Sequence, residues 1–150
     1  MKELSRTTSA DEIEKITGFI HDDSIDEDRV AYNSVNRVLE IGIESQHSRV
    51  KRKFWGVATV PLKRSSLRIY NAIEYSINDP ARVAGGDLER VFYNNKEGNI
   101  VVETSTGFNI NVNVSCIEVE VEITDEIIGQ VLIRYFLGLG FEVGRIPVNR

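Results

Sequence analysis

The sequence predicts an α+β domain, in which a curved antiparallel β-meander sheet carries one helix near each end of the chain. The composition supports a sheet, because 17 Val and 17 Ile outnumber 8 Leu and 6 Ala, and β-branched residues favour strands. Several segments also alternate apolar and polar residues, as half-buried strands do. We expect six to eight strands that close toward a barrel, built from residues 1–150 as a single β-rich domain.

Two segments show helical rather than alternating patterns. Ile13, Ile16 and Ile20 recur at helical spacing, which predicts a helix over residues 10–20, and Ser9 with Glu12 fits a capping box at its start. The acidic residues 21–28 show no period and are expected to form a loop. A second helix is predicted after Thr124, which suits an N-cap. Its apolar face would comprise Ile127, Ile128, Val131, Leu132, Tyr135 and Phe136, and Gly138 and Gly140 would end it.

The first half of the chain predicts a hairpin and two further strands. Leu39, Ile41 and Ile43 alternate with polar or small residues, and they follow a turn at residues 33–36. A strand over residues 51–60 is apolar on both faces, and we expect it to end at Pro61, because proline donates no ladder hydrogen bond. Residues 67–77 read as one further strand.

The second half predicts strands at residues 88–93 and 100–104, and a phase change within residues 108–123. Phe108, Ile110, Val112 and Val114 are even-numbered, whereas Ile117, Val119, Val121 and Ile123 are odd-numbered. One extra residue at positions 115–116 would keep both sets on one core, so we expect a β-bulge there. Residues 141–148 suggest a last short strand.

A basic ribbon over residues 49–68 is the first candidate binding site. This segment holds seven cations and no acid, whereas residues 10–28 sum to a charge of -7. Cations beside an aromatic ring suit a phosphate backbone and stacked bases, but the net charge of -5 opposes nucleic acid at range. The alternative is that the two charged blocks face each other. The candidate partner-binding or nucleic-acid-binding residues are Lys51, Arg52, Lys53, Trp55, Lys63, Arg64 and Arg68.

A metal site in the acidic loop is the second candidate. Asp22, Ser24, Asp26 and Asp28 place oxygen side chains at alternate positions, and hard cations such as calcium bind oxygen. However, an EF-hand requires Gly and Glu where this loop has Glu27 and Asn33. A solvated acidic loop therefore explains the segment more simply.

Two further features have simple structural explanations. Glu118, Glu120 and Glu122 alternate with apolar residues, which is typical of a sheet with one solvated face. Cys116 is the only cysteine, and a single cysteine is most often a small buried apolar residue. We expect neither a catalytic residue nor a cofactor from these patterns.

The sequence therefore favours a small non-catalytic binding or protein-interaction domain, with self-association as one form of that function. Nucleic-acid binding through residues 49–68 and a metal-dependent enzyme using residues 22–28 are the alternatives. The first residues lack the apolar core of a secretory signal, so we expect a cytoplasmic protein whose partner is a protein or a second copy rather than a membrane.

Overall fold

The structure, a computed structural model that describes residues 3–46 and 54–147, consists of ten β-strands and one short helical segment. The helix α1 spans Ile13–Thr17 and is flanked by single 3-10 turns at Ala10–Glu12 and Gly18–Ile20. The strands are β1 Glu3–Thr7, β2 Ser24–Asn33, β3 Val38–Gln46, β4 Trp55–Ile69, β5 Ala72–Asn78, β6 Gly85–Asn94, β7 Asn99–Thr104, β8 Asn109–Val114, β9 Val119–Phe136 and β10 Leu139–Pro147.

The strands form one open antiparallel sheet in the order β1-β9-β4-β3-β2-β6-β7-β8-β5, and β10 pairs with β9. Its two halves meet where Ser24, Ile25 and Asp26 of β2 pair with β6. One core lies between the halves, and α1 adds Ile13 and Ile16 to it. Both halves contribute fully buried side chains, among them Leu39, Ile41, Leu67 and Ile69 from one and Ile100, Val102, Ile110 and Val112 from the other.

The predicted second helix is wrong, and with it the α+β class: the chain is mostly antiparallel β-sheet. The segment after Thr124 continues β9 to Phe136, where it pairs with β4 and β10. Apolar residues four positions apart, such as Val131 and Tyr135, share a face in a strand as well as in a helix. Local pattern therefore left both conformations open, and pairing with β4 and β10, which satisfies the backbone of β9, selects the extended one.

The predicted strand number and two strand boundaries are also corrected. The described residues form ten strands, and their sheet does not close. β4 runs through Pro61, which lies opposite Gln130 in β9. The expected continuous strand over residues 67–77 breaks at Asn71, whose φ of 56° turns the chain from β4 into β5.

The phase change near Cys116 reflects two separate strands rather than a β-bulge. β8 ends at Val114, and β9 begins at Val119 in the other half of the sheet. Both apolar sets do face one core, since Phe108, Ile110, Val119 and Val121 belong to it. Cys116 lies in the connection and is exposed.

Several local predictions are confirmed. Residues 10–20 are helical, and the β2–β3 hairpin, β6, β7 and β10 lie where the patterns place them. The capping box does not form, because Ser9 makes no side-chain cap hydrogen bond. The acidic loop is shorter than expected, since β2 already begins at Ser24.

The junction of the two halves requires glycine at position 85. A Cβ atom on Gly85 would lie 2.2 Å from the carbonyl oxygen of Ile25, which is backbone and has little room to move. We expect Gly85→Ala to lower the free energy of unfolding by about 2–4 kcal/mol in urea titrations. Gly18→Ala is the control, because no atom lies within 4 Å of its Cβ and its backbone is helical. Equal stability of the two variants would contradict the close approach.

A carboxyl group with a raised pKa lies beside this junction. Burial, together with the charges of Asp22 and Asp87, raises the pKa of Asp23 to about 7. The Asp23 carbonyl accepts the Leu88 amide at 2.8 Å, which holds the turn against β6. The folded protein therefore binds this proton more tightly than the unfolded chain does.

Stability should consequently fall as the pH rises from about 4 through about 7, since the folded state must then give up this proton. Asp23→Asn has no such proton to lose. Its free energy of unfolding should therefore equal that of wild type at pH 4 and exceed it at higher pH. At pH 8 the advantage should reach on the order of 1–2 kcal/mol, after allowance for solvent screening. Thermal unfolding across this pH range measures the difference. Glu97→Gln changes a carboxyl group in an exposed turn and should show the same pH dependence of stability as wild type. If Asp23→Asn also showed the wild-type pH dependence, the raised pKa of Asp23 would be refuted.

Candidate functional site

Three strands extend beyond the core as an arm, formed by residues 55–62 of β4, 129–136 of β9 and all of β10. Side chains alternate along β4, so Trp55, Val57 and Thr59 lie on the same side of the sheet as the core residues Leu67 and Ile69. The other half of the sheet covers Leu67 and Ile69 completely, whereas Trp55 and Val57 are exposed. The core-facing side of the sheet thus continues into solvent.

That side of the arm carries six exposed apolar side chains, and the exposed polar residues Thr59, Gln130 and Arg134 lie among them. Register places Phe136 between Trp55 and Leu139, and Arg134 between Val57 and Phe141. Ile146 joins them at the far end, opposite Gln130. We call this surface the apolar arm face; its six exposed apolar residues are Trp55, Val57, Phe136, Leu139, Phe141 and Ile146, each between 47% and 63% exposed.

The opposite side of the arm is buried and tied to the rest of the sheet. Val60 and Val131 are opposite each other and almost fully buried, and Tyr135 packs close to the backbone of Gly140. Arg145 of β10 donates to Glu44 of β3 at 2.8 Å. The first two contacts hold the strands of the arm together, and the hydrogen bond from Arg145 to Glu44 joins the arm to β3.

An aromatic cluster marks the end of the arm. The rings of Trp55 and Phe136 meet edge to face with centroids 4.8 Å apart, and Phe54 packs against Trp55 at 5.6 Å. Leu137 and Gly138 connect β9 to β10 with φ angles of 51° and 79°. Two positive φ values are the signature of the type I′ turn that suits twisted hairpins.

The structure separates the cations predicted to form a basic ribbon. Lys63 pairs with Asp125 at 3.2 Å, and Arg64 lines a groove of about 360 Å³ together with Asp28. Trp55 lies on the apolar arm face, away from Arg68 at the other end of β4. Lys51, Arg52 and Lys53 fall outside the described residues.

Arg68 is held within a cluster of carboxylates. Its Nε donates to Glu40 at 2.8 Å, and its Nη1 donates to Glu120 at 2.8 Å and to Glu122 at 2.6 Å. Burial alone would lower the pKa of Arg68, but these hydrogen bonds raise it. The guanidinium is therefore charged at any physiological pH and is committed to intramolecular partners.

The predicted row of solvated glutamates is this same cluster. Glu120 is only 6% exposed, and Arg6 adds a second guanidinium that contacts Glu118 and lies 3.8 Å from Glu120. The ring of Tyr70 lies 4.8 Å from the guanidinium carbon of Arg6. Alternation along β9 indicated the shared face of these glutamates, but their burial depends on Arg6 and Arg68 from other strands.

The four residues predicted to bind a metal lie along the start of β2. Asp22 lies before the strand with a φ of 68° and contacts His21, 3.1 Å away. Ser24 and Asp26 pair with β6, and the amide of Asp28 donates to Asp26 at 3.1 Å. Within residues 3–46 and 54–147, no group of three or more His, Cys, Asp or Glu side chains is arranged to hold a metal ion.

Most of the apolar arm face was not identified from sequence. The pattern singled out Trp55 but placed Phe136 in a helix and Leu139 between two helix-ending glycines. Two features of the sequence could have predicted a β-hairpin here. They are the high content of Val and Ile before Tyr135 and the Leu-Gly pair between two apolar runs.

No helix among the described residues is long and apolar enough to cross a bilayer. In comparisons with known proteins, no family model, no curated sequence and no solved structure matches this chain.

Removing Arg68 should destabilise the protein strongly. Arg68→Met would leave the carboxylates of Glu40, Glu120 and Glu122 near one another without their shared cation, at a cost of about 2–4 kcal/mol of unfolding free energy. Arg64→Met is the matched control, because Arg64 lies on the same strand but is exposed, and we expect a change within about 0.5 kcal/mol. Urea unfolding of both variants tests the role of the cluster, and a similar small loss in each would argue against it.

Proposed function

We propose that this protein is a non-catalytic protein-interaction domain that binds through the apolar arm face. The observation that carries this proposal is the extent of exposed apolar side chains on one ordered surface. A fully exposed aromatic side chain has about 150–250 Å² of accessible surface. The six half-exposed side chains of the apolar arm face together therefore expose roughly 500–700 Å². Typical monomers reach about 300–600 Å² in their largest apolar patch.

The energetics of burial support binding at this surface. At about 25 cal/mol per Å², covering the apolar arm face would contribute on the order of 15 kcal/mol before the costs of association. Those costs are about 4–15 kcal/mol, so the gain from burial equals or exceeds them, and the surplus depends on how well the partner's shape matches. Arg134 lies between Val57 and Phe141 and is exposed, so a partner that leaves it solvated, or stacks a ring on it, fits best.

The length of the strands also favours a dedicated surface. Strands in globular proteins usually have about 5–6 residues, whereas β4 has 15 and β9 has 18. The ends near Ile69 and Val119 line the core, and residues 55–62 and 129–136 build the arm. The exposed thiol of Cys116 suits a reducing compartment such as the cytoplasm, where we place this function.

Site-specific photo-crosslinking tests the proposal. A photoreactive phenylalanine analogue at Phe141, on the apolar arm face, should form a protein adduct in cells that produce the chain. The same analogue at Ile73, which is similarly exposed on β5, should not. Adding Leu139→Glu to the Phe141 probe should abolish the adduct, because a carboxylate would be desolvated in the interface. The absence of an adduct at Phe141 would refute this function. An adduct that still forms when Leu139→Glu is added would refute it too.

A further inference from the structure

We infer that the partner that covers the apolar arm face is a second copy of the same chain, packed face to face about a two-fold axis. This inference rests on the proposed function and names its partner. A two-fold interface uses the same surface of both subunits, so the surface must complement itself. The chemistry and the dimensions of the apolar arm face meet that condition.

The area available matches a stable dimer. Phe54 and Leu137 border the apolar arm face, and each is more than half exposed. With them, the apolar surface of one copy reaches roughly 800 Å², which is about what each partner contributes to a standard protein interface. One arm against another would therefore form a complete interface without any further element of the chain.

The side chains complement a second copy of themselves. The rows of this surface are mostly aromatic and aliphatic, with Thr59 and Gln130 as uncharged polar residues, and two such sheets can stack with their inner faces about 10 Å apart. Arg134 is the charged residue within these rows in the part of the chain described. The rings of Phe136 and Phe141 in the second copy offer it a cation–π contact, while its stem covers apolar surface.

Stacking accounts for the exposed face better than edge pairing does. If β10 paired edge to edge with a second β10, the apolar arm face would stay exposed. The register of β10 also shifts between Glu142 and Gly144, and such a bulge interrupts the regular edge that strand addition needs. The exposed side of the arm, rather than its edge, is thus the dimer surface.

The single tryptophan of the chain reports directly on this surface. Trp55 is the only Trp and is 55% exposed, so dimerisation should shift its emission to the blue and protect it from acrylamide. Dilution of the purified protein should reverse both changes as the dimer dissociates. Sedimentation equilibrium over the same concentrations should give twice the mass of the chain at the upper end.

Two arm variants and one matched control test the interface. Phe141→Glu and Leu139→Glu should each weaken dimerisation at least 100-fold and give a monomer with red-shifted Trp55 emission. Ile73→Glu places the same charge on a similarly exposed strand residue outside the arm and should remain a dimer. Thermal unfolding identifies which variants are folded, and either folded arm variant suffices for the test.

The outcomes separate this inference from the function on which it rests. A wild-type chain that stays monomeric at all concentrations, or a dimer that persists in a folded arm variant, would overturn the inference. If such a monomer still formed an adduct with another protein at Phe141, the interaction function would stand and the self-association would not. Absence of any adduct would overturn both.

Discussion

The pairing of β4 with β9 is the interaction on which the rest of the structure depends. It runs from Trp55 opposite Phe136 to Ile69 opposite Val119, so one ladder supplies both a wall of the core and the centre of the arm. Its core end places Leu67 beside Val121, while its outer end places aromatic rings in solvent. An isolated two-stranded ribbon is only marginally stable in water. β10 completes the arm by adding a third strand.

The side of the sheet that is buried changes along this ladder. Near the core, Leu67 and Ile69 are buried, whereas in the arm Val60 and Leu62, which lie on the opposite side, are buried. The register of β4 with β3 is unbroken from Leu62 to Ile69, whereas its register with β9 shifts between Leu62 and Ser65, where β9 carries the extra residues. Extra residues in one strand of a pair bend the ladder locally, and this bend lies where the covered side of the sheet changes. The apolar arm face is therefore a product of sheet geometry as much as of local sequence.

The sequence predicted the elements whose partners are near in the chain. The helix at residues 10–20 and the hairpin of Leu39 and Ile41 follow from local periodicity and turn chemistry. The conformation after Thr124 could not be predicted in this way, because it depends on β4, more than fifty residues earlier. The candidate site was missed for the same reason: Trp55 stood out as an aromatic residue, but only pairing of β4, β9 and β10 places Phe136 and Phe141 beside it. Likewise, alternation revealed the glutamates of β9 but not the arginines that bury Glu120.

The two strand pairings of the arm differ in how far apart along the chain the paired residues lie, and this difference affects folding. The β9–β10 hairpin closes over a two-residue turn at Leu137 and Gly138, and such hairpins form within about 1–10 μs. The β4–β9 ladder joins distant segments and must form more slowly, as pairings of high contact order do. Phe136, Leu139 and Phe141 will therefore be assembled on one face of a hairpin before the core exists to support it. This hairpin thus exposes an apolar surface early in folding, so unfolded chains at high concentration can associate prematurely through the same residues that we assign to the mature interface.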